Sequence, residues 1–296
     1  MASIALVPEV VGTSGPGVEV YGETQALTGE LLEACGFFVP HYMGPTPNAH
    51  LMAQMPNLEV CQLLTAGFDY ALPLVPPGVT LCNAQGVHDA STSELALGLI
   101  LSSLRGIDDA ARDMATGTWG HHRRISLADR RVLVIGAGGV GRAIRDRLLP
   151  FEVEVQMMAR NSRGGIHAPE QLPALLPQCD IVVLAVPLDS TTHHLVNAGF
   201  LALMRDGALL VNVSRGAVAD TQAIVNETGR LRFALDVTDP EPLPPEHPLW
   251  SSPHVLITPH LGGNTTAFIP RAARLVADQV ARWQSGTPLE CIVTHA

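Results

Sequence analysis

The segment Arg131–Leu148, RVLVIGAGGVGRAIRDRL, constrains this chain more than any other stretch. Four apolar residues run straight into Gly136-x-Gly138-x-x-Gly141, and the pattern then turns helical. The first glycine permits a tight turn, the second lets backbone approach a ligand, and the third lets a helix lie close on a strand. N–H groups at the head of that helix then face an anion. Out of context the spacing is weak; between a strand and a helix it marks the first crossover of a parallel sheet that holds a dinucleotide by its pyrophosphate.

The rest of the chain agrees with that placement. Six short strand candidates follow one another between residues 130 and 260: Val132–Ile135, Val153–Met158, Ile181–Val186, Leu209–Val213, Phe233–Val237 and Val255–Thr258. Helical or loop segments separate them, the rhythm of a doubly wound parallel sheet. Upstream, the apolar runs SIALV, VEVY, FFV, LEVCQLL and VTLC read as strands of a smaller α/β domain, with a helix-like segment around Gln25–Ala34. Ser91-Thr-Ser-Glu94 has capping-box spacing, and Leu95–Leu104 is apolar nearly all round, as in a helix buried between two domains. The segment Ala267–Trp283 is helical in pattern, interrupted by Pro270, and returns to the first domain. At 296 residues the chain suits two cores rather than one. The expected fold class is therefore α/β, two Rossmann-like domains with doubly wound parallel sheets, the substrate domain discontinuous and flavodoxin-like. Its boundaries are 1–97 completed by 265–296, with the dinucleotide domain over 98–264.

Charge and composition exclude several alternatives. A net charge of −10 argues against a nucleic-acid partner, which would need a basic face. No apolar run reaches the ~20 residues of a membrane span, and MASIALVPEV reads as a first strand rather than a secretion signal, so the expected location is the cytoplasm. All 18 basic residues are arginine, which removes Schiff-base, P-loop and kinase-type lysine chemistry. The five cysteines are widely spaced without a CxxC pair, as reduced core thiols would be, and no metal site is expected.

A carboxylate normally ends the second strand of such a sheet and accepts from the ribose 2′-OH. Here the sequence is Met158-Ala159-Arg160-Asn161-Ser162-Arg163. Arg160 and Arg163 suit a 2′-phosphate, which favours NADP(H) and leaves NAD(H) possible. Beyond the carboxyl ends of the last three strands stand Arg215 in VNVSRG, Glu241 in LDVTDPEP and His260 in ITPHLGG. That edge is the ligand crevice of an open α/β sheet. There Arg215 can pair with a carboxylate and polarise the neighbouring carbonyl, His260 can protonate a developing alkoxide, and Glu241 can orient the imidazole.

These motifs, together with TAGFDYA, VTLCNAQGVHDASTSELALGLIL, LAVPLDSTTHHLV, LLVNVSRGAVAD and ALDVTDPEPLPPEHPLW, resemble the D-isomer-specific 2-hydroxyacid dehydrogenase family, and within it the glyoxylate/hydroxypyruvate reductase-like members. The resemblance implies a catalytic set on Arg215, Glu241 and His260, with Ala66 and Gly67 offering backbone N–H groups to the substrate carboxylate beside Arg215. It implies a cofactor lining of Gly136, Gly138, Gly139, Val140, Gly141, Pro187, Val213, Ser214, Asp236 and Gly262, with Asp236 near the nicotinamide amide. It also implies a homodimer, with the loop carrying Trp119 reaching toward the neighbouring subunit. Side-chain preference for the substrate would rest on the loops Tyr42–Pro47 and Leu64–Phe68.

The function expected is reduction of a small 2-oxo acid, of the glyoxylate or hydroxypyruvate kind, to the D-2-hydroxy acid. Two alternatives stand beside it: a dehydrogenase of a bulkier D-2-hydroxy acid, and a dinucleotide-sensing module that recruits a partner protein.

Overall fold

The computed structural model describes residues 3–42, 48–161 and 164–295. It divides into two compact units, Met1–His88 with Thr266–Ala296, and Asp89–Thr265.

In the first unit β1 (Ile4–Pro8), β2 (Val18–Tyr21), β3 (Cys35–Phe38), β4 (Val60–Gln62) and β5 (Thr80–Cys82) form a parallel sheet in the order β2-β1-β3-β4-β5. This is the flavodoxin-like order expected from the sequence. A final strand, Ile292–His295, adds antiparallel beside β5. Alternate residues feed opposite faces, as the two-residue period requires. Ala5, Val7 and Phe37 enter one core cluster, while Leu6, Phe38, Cys61 and Leu81 enter the other. The helix-like stretch Gln25–Ala34 shortens to α1 (Gly29–Ala34). Helix Phe268–Ser285 covers the first face with Phe268, Ala272, Val276 and Val280, one residue per turn. Pro270 does not interrupt it. Proline lies in the first turn, where an N–H has no intrahelical partner to lose.

The second unit holds β6 (Arg131–Ile135), β7 (Glu154–Met158), β8 (Ile166–His167), β9 (Ile181–Leu184), β10 (Leu209–Asn212), β11 (Arg232–Leu235) and β12 (Val255–Ile257). All pair in parallel, in the order β8-β7-β6-β9-β10-β11-β12. All six expected strands are present. The seventh, β8, is two residues long and carries no apolar run that a sequence would reveal.

Around this sheet lie α2 (Asp89–Arg105), α3 (Ile107–Met114), α4 (Gly139–Leu148), α5 (Leu172–Leu175), α6 (Ala198–Leu203) and α7 (Thr221–Glu227). Val132 and Val134 of β6 face a core shared with Ala96, Leu99, Ile100 and Leu104 of α2 and Ile144 and Leu148 of α4. Leu133 and Ile135 face the opposite core, closed by Phe200 and Leu201 of α6 and Ala223 and Ile224 of α7. Helix α2 runs unbroken across residue 97 and packs on α4, so the division falls at Asp89 rather than at the boundary read from the sequence.

The capping-box reading at Ser91–Glu94 is also corrected, because α2 already begins at Asp89. Ser91 Oγ instead meets Thr265 Oγ1 at 2.7 Å, Thr92 Oγ1 donates to the Gly262 carbonyl at 3.2 Å, and Ser93 Oγ donates back to the Asp89 carbonyl at 2.6 Å. All three side chains are buried; Ser91 and Thr92 serve tertiary contacts, and Ser93 bonds back within the first turn of α2 itself. Among the described residues no helix is long and apolar enough to cross a membrane.

Candidate active site

Pairing register decides which residues meet in the second unit. Ile135, Leu184, Asn212, Leu235 and Ile257 form one row across β6, β9, β10, β11 and β12. The chain leaves the sheet at the next residue of each strand, so Gly136, Val213, Asp236 and Thr258 stand along one edge. The strand order reverses between β6 and β9, which puts the ligand crevice of such a sheet at this edge.

Gly136 turns the chain at φ +119°. Helix α4 starts at Gly139, its N-cap Gly138 has no side chain to satisfy the first amides, and Val140 is half-buried in the first turn. Those N–H groups and the helix dipole suit an anion. A Cβ at Gly141 would stand 1.9 Å from the Gly136 carbonyl oxygen, so only glycine lets α4 approach the turn this closely. A Cβ at Gly138 would meet nothing within 4 Å. The open space at Gly138, at the head of a helix whose N-cap has no side chain, fits a dinucleotide pyrophosphate, while the Asp89 carboxylate crowds the neighbouring Gly139.

At the end of β7 the Arg160 guanidinium pairs with Asp189 and donates to Thr191 Oγ1 at 3.1 Å. Arg163 lies outside the described residues, as do residues 43–47 of the stretch Tyr42–Pro47. The Pro187 carbonyl accepts the Thr192 hydroxyl at 2.6 Å, and Ser214 Oγ accepts the Val186 N–H at 3.1 Å, tying together the loops that follow β9 and β10. Val213 is buried beneath them.

The turn after β10 is shaped by the buried Asn212. Its Oδ1 accepts the Ser214 N–H and its Nδ2 donates to the Arg215 carbonyl, both at 3.0 Å. Arg215 Nη1 donates to the Ser214 carbonyl at 2.9 Å. A Cβ on the next residue, Gly216, would lie 1.9 Å from the Thr238 carbonyl oxygen. The Arg215 turn thus packs directly on the loop leading to Glu241.

Glu241 follows the cis peptide Asp239–Pro240 and precedes the cis peptide Glu241–Pro242. Its Oε1 lies 2.6 Å from His260 Nδ1. That hydrogen bond is the chief reason the Glu241 carboxyl sits below the usual carboxylate range; partial burial opposes it, and the Arg215 guanidinium adds to it. His260 itself takes a left-handed backbone at φ +53°, uncommon for a non-glycine residue.

What holds His260 there is Asp236, 2% exposed. The Asp236 carboxylate accepts the Thr258 hydroxyl at 2.6 Å and the N–H groups of Leu261 and Gly262 at 2.8 Å each. Sequence reasoning gave Asp236 a cofactor contact alone and missed this anchoring. An aspartate at a strand end was a signal, but its partners stand 22 to 26 residues downstream.

Ala66 and Gly67 belong to the first unit, beyond β4. The Ala66 carbonyl accepts Asn83 Nδ2 and the Gly67 carbonyl accepts the Thr65 hydroxyl, both at 2.7 Å. Nearby in sequence, the Leu64 carbonyl accepts His88 Nε2 at 2.8 Å, and the His88 ring stacks on Tyr42 and Phe268. Among the described residues no group of His, Cys, Asp or Glu side chains could hold a metal ion.

Residues 97–262 match the family described as D-isomer specific 2-hydroxyacid dehydrogenase, NAD binding domain. A glyoxylate reductase of Thermofilum pendens is 32% identical over 247 residues, covering 78% of this chain and 73% of that protein. A mitochondrial formate dehydrogenase of Oryza sativa subsp. japonica is 31% identical over 265 residues, covering 84% and 69%. Among solved structures, a D-isomer specific 2-hydroxyacid dehydrogenase from Xanthobacter autotrophicus Py2, in complex with NADPH and MES, is similar at a TM-score of 0.83 and 28% identity, over 99% of this chain and 98% of that one.

Proposed function

Since this chain belongs to the D-isomer-specific 2-hydroxyacid dehydrogenase family and is thus an NAD(P)-dependent oxidoreductase, we propose that it reduces a small 2-oxo acid of the glyoxylate or hydroxypyruvate kind to the D-2-hydroxy acid, with NADPH preferred. The observation that carries this reading is the 2.6 Å contact between His260 Nδ1 and Glu241 Oε1. With its Nδ1–H given to the carboxylate, the imidazole keeps Nε2 for the substrate. Reduction of a ketone leaves an alkoxide oxygen that must take a proton, and Nε2 of His260 supplies it. Glu241 fixes the ring and balances its charge. Arg215 pairs with the substrate carboxylate through two N–H groups and draws electron density from the adjacent carbonyl. The bound nicotinamide supplies the hydride.

The same contact separates this reading from the activity named for the rice relative. Formate gives up a hydride and leaves as carbon dioxide, so no oxygen is protonated and a Glu–His pair has no task. Cofactor preference rests on Arg160, whose guanidinium favours a 2′-phosphate over a hydroxyl. The five cysteines are free thiols, four of them buried, which suits the reducing cytoplasm. A homodimer follows the family resemblance and is read by light scattering.

The test is an initial-rate comparison of NADPH with NADH over glyoxylate, hydroxypyruvate, phenylpyruvate and, in the oxidative direction, formate. Turnover of the two small oxo acids with NADPH favoured is expected. Turnover of formate alone would overturn the reading, and preference for phenylpyruvate would move it to a bulkier substrate.

A further inference from the structure

The end of β7 and the loop after β9 meet at the Arg160–Asp189 ion pair. Asp189 is held by its own loop more than by the arginine. Its Oδ1 accepts the Thr191 N–H at 2.8 Å and the Thr191 hydroxyl at 2.7 Å, leaving Oδ2 directed at Arg160 Nη2. The loop is closed in turn by the Asp189 N–H, which donates to Thr192 Oγ1 at 2.8 Å, and by the Thr192 hydroxyl on the Pro187 carbonyl. Thr191 is also the first cause that the Asp189 carboxyl is pushed down to about 2, so the group is ionised at any working pH.

In a doubly wound sheet the end of the second strand is where the adenosine ribose is read, and an acid from that strand marks an NAD site. This chain has exchanged the parts. The second strand contributes a guanidinium, and a carboxylate arrives from the loop after β9 instead. Resting on the reading of Arg160 as the partner of a 2′-phosphate, we propose that Asp189 is a cofactor-specificity residue that competes with the 2′-phosphate for Arg160. A phosphate brought to Arg160 carries about −1.5 to −2 charges and meets a fixed carboxylate beside its intended partner. A ribose hydroxyl meets no such repulsion and finds an acceptor in Asp189. The pair therefore narrows the preference for NADPH and keeps NADH usable. Because Arg160 is well exposed, its ion pair contributes little to folding and is replaceable without loss of the domain.

Calorimetric titration of adenosine 2′,5′-bisphosphate and adenosine 5′-monophosphate, at one fixed ionic strength, reads the ribose 2′ end without any turnover. In Asp189→Asn, which keeps an oxygen for Thr191, the bisphosphate is expected to bind about fivefold tighter, the upper end of what an exposed charge pair is worth. The monophosphate, whose ribose hydroxyl loses an acceptor, is expected to bind no tighter, so the ratio of the two dissociation constants widens. A ratio equal to that of wild type overturns the proposal. Arg160→Ala then tells which reading failed: a collapsed ratio keeps Arg160 as the phosphate partner and reduces Asp189 to a loop anchor, whereas an unchanged ratio removes both roles.

Discussion

Asp236 grips the main chain of His260 and of the residues after it: the Asp236 carbonyl accepts the His260 N–H at 2.8 Å, and its carboxylate takes the next two amides, Leu261 and Gly262, at 2.8 Å each. A left-handed residue persists when its surroundings over-determine it, and here one buried aspartate does so from just beyond β11.

Asp236→Asn replaces an acceptor by an N–H group that faces other N–H groups. Each lost buried hydrogen bond costs about 1–3 kcal/mol. The variant is expected to melt several degrees lower, to lose turnover while binding NADPH, and to exchange the Leu261 and Gly262 amides faster by NMR. Unchanged exchange at those two amides would show that the carboxylate does not hold the turn.

Glu241 gives the pH dependence. Its carboxyl is depressed first by the His260 hydrogen bond, and a depressed carboxyl contributes above its unfolded value and is lost as pH falls through the folded one. The Glu241–His260 contact therefore survives mildly acidic buffer and breaks only below the ordinary titration range of a glutamate. The turnover number of the wild type is expected to fall there while circular dichroism still reports a folded chain, and Glu241→Gln is expected to lack that limb. His260→Ala should lower turnover about 10²–10⁴-fold, the usual worth of a positioned proton donor. Glu241→Gln should lower it less, because the donor remains.

The thiols make a third prediction. Burial pushes Cys35 and Cys82 up to about 12 and Cys179 up to about 11, and it raises Cys61 too. Cys291 is half-buried and less shielded. A chromogenic disulfide at pH 8 is expected to titrate one thiol of the native protein slowly, and all five only in denaturant. Cys291→Ser should abolish the native reaction. Raised acids stabilise the fold below their unfolded value and cease to as pH rises, so the melting temperature is expected to drop above about pH 8.5.

Much of this molecule was legible in its residues. Most strands of the two sheets appear as short apolar runs because a parallel sheet buried on both faces needs them, and Ile181–Leu184 is buried throughout. The glycine turn was legible because its requirements are local. Ser91–Glu94 misled, since the same spacing that caps a helix end can also serve contacts with Gly262 and Thr265, far along the chain. Asp189 passed unnoticed in the sequence: nothing near it in LAVPLDSTT mentions an arginine 29 positions earlier.

Local chemistry alone therefore determined which segments become strands, where a pyrophosphate can sit, and which side chains are equipped for acid–base work. Tertiary structure decided what those side chains meet. Register across β10, β11 and β12 brings Glu241 to His260 and Asp236 under the histidine turn, and the loops after β7 and β9 bring Asp189 to Arg160. Hydrogen bonds and charge pairs act over a few ångströms, and only the folded sheet places residues so distant in sequence within that range.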